Sequence, residues 1–259
     1  MSSERRASIL AIIEDAGEAS LAELCTRFSG VSEITIRRDL IQLEQEGHIL
    51  RTRGGAVSLK RLGSGIPHPG SGEENEYFLR AHQNQEEKIA LAKKALSFVE
   101  KGRSIYFDAG STIMALAHLL PDEAMTIITN GTNVAQELVT KPKITVMMPG
   151  GTVNHNTLSV SGSTSISFIQ NINIEYAFMS ASAFSLDAGF SVSNIYEAEL
   201  KRAVINRAKK VVMLLDSSKF DKSLLFTMAE LADIDYLVCD RAPSLEIRKA
   251  AKAAGVQII

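Results

Sequence analysis

Two groups of residues in this chain have types and spacings suited to chemistry. The first is a set of arginines, Arg37 and Arg38 followed by Arg51 and Arg53. A guanidinium fork matches guanine O6 and N7, or a phosphate. Ser32, Ile34 and Thr35 stand just ahead of the first pair, and apolar or threonine groups suit thymine methyls. The second group is four short polar stretches: Asp108-Ala109-Gly110-Ser111-Thr112, Thr129-Asn130-Gly131, Pro149-Gly150-Gly151 and Asp216-Ser217-Ser218-Lys219-Phe220. In the first, Gly110 frees the backbone while Ser111 and Thr112 open a helix, an arrangement that suits an anion such as phosphate. Lys219 gives the last stretch a cation. Each fragment alone also has a plain reading, as a solvated face, a helix cap or an ordinary loop. The elements that carry the fragments decide between the readings.

The arginines belong to a compact pattern. Ser20 and Glu23 form a capping box that starts a helix at Leu21, with Leu21, Leu24, Cys25 and Phe28 on its apolar face. Ser29-Gly30 stops it, Val31 anchors the turn, and Ser32 caps a second helix. There Ile36, Leu40 and Leu43 share one face, while Ile34, Arg38, Ile41 and Gln45 point away, flanked by Arg37 and Gln42. Gly47 ends this helix. Gly54-Gly55 then reads as a hairpin turn, with Arg51 and Arg53 on one face of its first strand. A helix of this kind can enter a major groove by its N-terminal end, and the hairpin forms a wing for phosphates or the minor groove. An earlier helix over residues 3–16, with Ile9, Ile13 and Ala16 inward, packs beneath the pair and ends at Gly17.

The whole chain has 259 residues, room for two domains, with 45% hydrophobic residues, 22% charged residues and a net charge of −2. The global charge argues against a polyanion-binding surface spread over the whole molecule. The local balance differs: residues 48–61 hold Arg51, Arg53, Lys60 and Arg61 and no acid, as a confined DNA contact requires. Cys25 and Cys239 read as reduced core residues, and His118 and His155 lack spaced partners for a metal. Neither a signal peptide nor a membrane span is apparent, so the expected location is cytoplasmic.

Glycine, proline and serine mark residues 59–75 as a flexible linker between a DNA-binding domain over 1–58 and a second domain over 76–259. Residues 77–102 read as helical, with Ile89, Ala92 and Leu96 on one face and Val99 beside them. Strands over 103–108, 125–129, 144–148, 176–180, 210–215, 236–239 and 256–259 then alternate with helices over 132–139, 164–169, 196–208 and 245–254. The fold class is thus α+β multidomain: an N-terminal winged helix-turn-helix and a C-terminal α/β Rossmann-like, mostly parallel sheet. Ligands of such sheets bind at the carboxyl ends of the strands, where all four polar stretches fall.

These residues carry a resemblance. Val31-Ser32, Thr35-Ile36-Arg37-Arg38-Asp39-Leu40, Leu43, Gly47 and Arg53-Gly54-Gly55-Ala56 resemble the signature of the DeoR family of bacterial transcriptional regulators. Tyr77 to Arg80, Glu87 to Ala90, Asp108 to Thr112, Thr129-Asn130, Gly150-Gly151, Gly162, Lys201 and Asp216 to Phe220 extend it over nearly the whole chain. The resemblance implies a regulator, by family habit a repressor of a carbohydrate operon, that binds double-stranded operator DNA as a homodimer or homotetramer. Its second domain would resemble sugar-phosphate isomerases and sense a phosphorylated sugar. Gly110, Ser111 and Thr112 would then hold the phosphate, and Asp108, Asn130, Gly150, Gly151, Lys201 and Lys219 would border the sugar. No cofactor is implied. Glu175, Ala109 and Ser111, and Met179 to Ser182, depart from the family pattern near the pocket and bear on which ligand it takes.

The alternative is an isomerase carrying a DNA head. Isomerisation needs a carboxylate base near the carbon acid. Asp108, Glu175, Asp187 and Glu199 are candidates, but their spacing defines no acid/base pair. Glu199 and Lys201 could face sugar hydroxyls, or simply form a solvated first helical turn.

Overall fold

The computed structural model describes residues 2–45, 48–52, 54–58 and 77–259. Gly47, Arg53 and the 59–75 linker lie outside them. The contacts separate two compact units, one of residues up to 58 with Phe78–Gln83, the other of Tyr77 with Asn84–Ile259.

The first unit runs α1 (Ser2–Ala16), β1 (Glu18–Ser20), α2 (Leu21–Arg27), α3 (Glu33–Gln45), β2 (Ile49–Thr52) and β3 (Gly55–Ser58). Gly17, at a φ of 89°, ends α1 and turns the chain into β1. The capping box forms: the Glu23 amide donates to Ser20 Oγ at 3.1 Å and the Ser20 amide to Glu23 Oε2 at 2.7 Å. Ile9, Ile13, Leu24, Ile36, Leu40, Leu43 and Ile49 make the core. Ala16, expected inward, is exposed. Asp39 also turns inward, where it accepts from Arg5 Nε at 2.5 Å and so ties α1 to α3.

The wing differs from the expected hairpin. Thr52 pairs with Gly55, so Gly55 lies in β3 and not in the turn. β1, an unanticipated strand, pairs with β3 to give the sheet order β1-β3-β2. Gly55 packs so closely on β1 that an added Cβ would stand 2.1 Å from the Ala19 carbonyl oxygen. The glycine serves strand packing, a need that a local turn motif does not reveal.

A further helix, α4 (Tyr77–His82), belongs to the first unit from Phe78 on; the second unit runs α5 (Gln85–Ala95), β4 (Ser104–Phe107), α6 (Ser111–Leu119), β5 (Met125–Thr129), α7 (Thr132–Leu138), β6 (Ile144–Met147), β7 (Thr152–Asn154), β8 (Ser159–Ser161) and α8 (Ser163–Gln170). There follow β9 (Ile174–Ser180), β10 (Ala183–Ser185), β11 (Gly189–Val192), α9 (Ile195–Arg207), β12 (Ala208–Leu215), β13 (Phe226–Ala229), β14 (Tyr236–Cys239), α10 (Leu245–Ala253) and β15 (Gln257–Ile258). Seven strands form one sheet in the order β15-β14-β12-β9-β4-β5-β6, every pairing parallel. Side chains alternate between two cores: Tyr106, Ala177, Met179, Met213 and Leu237 enter one, Ile105, Phe107, Phe178, Val212 and Val238 the other.

Two small antiparallel sheets, β10-β11-β13 and β7-β8, were not anticipated; strands of three or four residues are too short to show a period. The expected helix over 77–102 is broken. Asn84 adopts a left-handed φ of 52°, and its Nδ2 donates to Asp216 Oδ1 at 3.2 Å and Ser218 Oγ at 2.9 Å. The buried face of α5 is Lys88, Leu91, Ala92 and Ala95, while Ile89 is 44% exposed. Charge explains the inversion: Lys88 lies within the field of the buried Asp216. Cys25 and Cys239 are free thiols, and burial pushes Cys239 up to about 12. Among the described residues, no helix is long and apolar enough to cross a membrane.

Candidate functional site

In the first unit the exposed face of α3 carries Ile34, Arg37 and Arg38 of the anticipated residues, with Ser32 just before the helix and Thr35 half-buried in it. Ser32 Oγ accepts from the Thr35 amide at 3.3 Å and lies 2.9 Å from Thr35 Oγ1, which fixes the start of the helix. Ile34 is 65% exposed, large for an apolar side chain with no structural duty. Arg37 pairs with Glu33 one turn back, Nε to Oε1 at 2.9 Å. Arg38 is exposed and has no ion pair among the described residues. Arg51 is held by Glu44, which accepts from the Arg51 amide at 2.9 Å and from Nε at 2.8 Å. Burial opposes ionisation of Glu44, but these bonds outweigh it and keep the carboxylate below its usual range. Glu44 thus joins the end of α3 to β2, a role its position alone did not disclose.

In the second unit the carboxyl ends of β12, β9, β4 and β5 lie side by side. Asp108, fully buried after β4, accepts at Oδ2 from the Ser180 amide at 3.0 Å and Ser180 Oγ at 3.1 Å. Lys201 of α9, also buried, donates to the same oxygen and to the Ser180 carbonyl oxygen at 3.1 Å. Gly110 caps α6 at a φ of 151°, supplies no side-chain bond, and would bring an added Cβ to 2.9 Å from Ser180 Oγ. Ser111 and Thr112 are buried in the first turn.

Lys219 sits at the end of β12. Its Nζ donates to the Ala181 carbonyl oxygen at 3.0 Å and stands 3.7 Å from Asp216 Oδ2. Burial raises the Asp216 pKa, but Lys219, the Ser218 bonds and Lys88 together outweigh it, so the carboxylate titrates below its usual range. Burial, then Asp108 and Glu197, push the Tyr106 phenol well above its ordinary value. Glu197 is the inward acid on α9, one turn before Lys201; Glu199 is exposed. Glu197, not the anticipated Glu199, thus shares the buried face with Lys201, and their i,i+4 spacing is the signal for it in the sequence.

Three expected sugar contacts have structural duties. Asn130 Oδ1 accepts from Tyr106 Oη at 2.7 Å and the Ala109 amide at 3.0 Å, and its Nδ2 donates to the Val160 carbonyl oxygen at 3.2 Å. It shapes the loop that leads to Gly110. Gly150 and Gly151 form an exposed turn after β6, with Ser165 Oγ donating to the Gly150 carbonyl oxygen at 2.7 Å. Gly151, at a φ of 152°, leaves no room for a Cβ against the Ser161 carbonyl oxygen. Glu175 bonds Arg103 and the Ser104 amide at the opposite, amino end of β4. Among the described residues no cluster of His, Cys, Asp and Glu could hold a metal ion.

Residues 5–61 match the DeoR-like helix-turn-helix domain, and residues 83–241 the DeoR C terminal sensor domain. The HTH-type transcriptional regulator GolR of Listeria innocua is 35% identical, over 98% of this chain and 97% of its own. The HTH-type transcriptional regulator GlpR of Haloferax volcanii is 31% identical over 99% and 96%. The glycerol-3-phosphate regulon repressor of Escherichia coli is 27% identical over 98% and 97%. Among solved structures, ribose 5-phosphate isomerase A of Methanocaldococcus jannaschii aligns with 53% of this chain and 55% of its own, at 16% identity and a TM-score of 0.40. That likeness is too slight to bear on activity. The helix-turn-helix implies DNA binding, and the sensor domain a small-molecule effector. The chain belongs to the DeoR family of transcriptional regulators.

Proposed function

We propose that this protein is a repressor of a carbohydrate-utilisation operon, that it binds its operator as a homodimer or homotetramer, and that a phosphorylated sugar seated at the carboxyl edge of the seven-stranded sheet modulates that binding. One observation carries the ligand reading. Among the described residues, the buried side-chain atoms without a hydrogen bond are Asp108 Oδ1, Asp216 Oδ2, and Oδ1 and Nδ2 of Asn133. All three residues follow β4, β12 or β5 at that edge. Buried polar atoms are rarely left unbonded, and their recurrence along one edge of the sheet, with Lys219 3.7 Å from Asp216 Oδ2, supports a site for a polar ligand there. Carboxylate oxygens suit sugar hydroxyls, while the first turn of α6 and Lys219 suit a phosphate. DNA is read by Ser32, Ile34, Thr35, Arg37, Arg38, Arg51 and Arg53 in this proposal.

Turnover is not part of the reading. Asp108 is bound to Lys201 and Ser180, Glu175 lies at the far end of the sheet, and Asp187 and Glu199 are exposed. The relatives named above are regulators or repressors.

The test is thermal melting of the full-length protein with phosphorylated sugars and their unphosphorylated counterparts. A ligand at a hundred times its Kd adds about 2.7 kcal/mol to the folded state. A phosphate-dependent rise in Tm is expected. Lys219→Ala should bind operator normally yet need a much higher effector concentration to respond. An unaltered dose response would remove Lys219 from the site.

A further inference from the structure

Asn133 is unusual in that both polar ends of its side chain are buried and neither has a partner. An amide kept for packing alone would be bonded, or replaced by an apolar group of the same size. Its position in α7 sets its register against α6. Val134, Ala135 and Leu138 are the buried face of this helix. Glu137, one turn after Asn133, approaches α6: Glu137 Oε1 is 3.1 Å from His118 Nδ1. Lys141, a further turn on, donates from Nζ to the Leu120 carbonyl oxygen at 3.0 Å. At the other end of α7, a Cβ on Gly131 would stand 3.2 Å from Ala109 Cα. The two helices run in the same direction, each returning from a parallel strand. Asn133 therefore lies level with the stretch from Ser111 to Met114. Its Cα–Cβ bond leans toward the helix N-terminus, and so toward the strand ends.

By this register its flank faces the start of α6, whose cap, Gly110, offers no side-chain acceptor. The amide group of those first residues has no intrahelical partner. An anion placed there would complete both the helix start and the orphaned Asn133 Nδ2.

We propose that Asn133 is a ligand-contacting residue of the sensor domain. Its Nδ2 donates to a phosphate oxygen seated on the first turn of α6, and its Oδ1 accepts from a hydroxyl of the same ligand. The assignment rests on the reading of this edge as a phosphorylated-sugar site. It means that the phosphate is gripped from two helices, α6 and α7.

The experiment uses the full-length protein, with inorganic phosphate, glycerol 3-phosphate and a set of pentose and hexose phosphates as probes. Tm and calorimetric Kd are measured for the wild type and for Asn133→Leu, Asn133→Ala and Asn133→Asp. Asn133→Leu removes two unpaired buried polar atoms, so its ligand-free Tm should rise. Its affinity for the phosphate compound that stabilises the wild type should fall about tenfold, the usual size of one hydrogen bond to a charged group. Asn133→Ala, which adds no bulk, should lose affinity likewise. Asn133→Asp should abolish the phosphate-dependent shift by repulsion. Wild-type affinity in all three variants would overturn the inference and leave the site reading standing, the amide then holding only a buried water. No stabilisation of the wild type by any phosphate compound would overturn both.

Discussion

Replacing Lys201 with methionine should destabilise the full-length protein by about 3–5 kcal/mol, the usual cost of leaving a buried charge without its partner. The geometry argues for the upper part of that range. Asp108 is fully buried; its Oδ2 takes bonds from Ser180 and Lys201, and its Oδ1 has none. Without the ammonium group, two neutral donors from one serine would have to hold the charge. Asp108→Asn combined with Lys201→Met should recover most of the loss, because an amide needs no counter-charge. Urea unfolding of the two single variants and the double variant measures both quantities. A single-variant loss under about 1 kcal/mol, the range of surface pairs, would show that the pair contributes no more than an exposed one.

Arg38→Ala should weaken operator binding by about ten- to a hundredfold, the usual worth of one bidentate arginine–guanine contact, without lowering the Tm. Arg38 is exposed and without an ion pair among the described residues, so in the proposed complex its guanidinium would reach a base edge at no cost in broken bonds. Arg37→Ala should do less, since that side chain must first share or leave Glu33. The two should also differ in kind. Loss of a phosphate contact lowers the slope of log affinity against log salt by about one and affects all sequences alike, whereas loss of a base contact relaxes one position of the operator. Fluorescence anisotropy on the operator and on single-base variants, at matched salt, separates them. An unchanged affinity for Arg38→Ala would remove it from the interface.

The helix pair and the parallel sheet were legible because their signals are local. The Ser20 and Glu23 box and the spacing of Ile36, Leu40 and Leu43 stand within one or two helical turns, and buried parallel strands read as short apolar runs. The site was legible only as a set of strand ends. That Asp108 is paired with Lys201, or that Lys88 turns inward while Ile89 faces out, depends on charges brought together from distant parts of the chain. Asn84 breaks a helix that its neighbours favour because its side chain bonds Asp216 and Ser218. Gly55 looked like a turn residue, since nothing nearby in sequence reveals that β1 will lie against it. In each case tertiary structure overrode the local pattern.

The order of strands in the large sheet also governs how the chain assembles. β4 has β5 on one side, close in sequence, and β9 on the other, which cannot pair until a far longer loop closes. The half made of β4, β5 and β6 is complete within residues 104–147, while the other half needs residues 174–258. Such long-range parallel pairing is slow to form. The helix-turn-helix and its ribbon, α1 to β3, lie within residues 2–58 and should acquire their fold well before the sensor does, both in refolding and as the chain leaves the ribosome. Pulse-labelled amide exchange should then find α3 protected first, β4 to β6 next and β9 to β15 last. Simultaneous protection would mean one cooperative event. On that order, the nascent regulator would have its DNA-reading surface before it has the means of responding to a ligand.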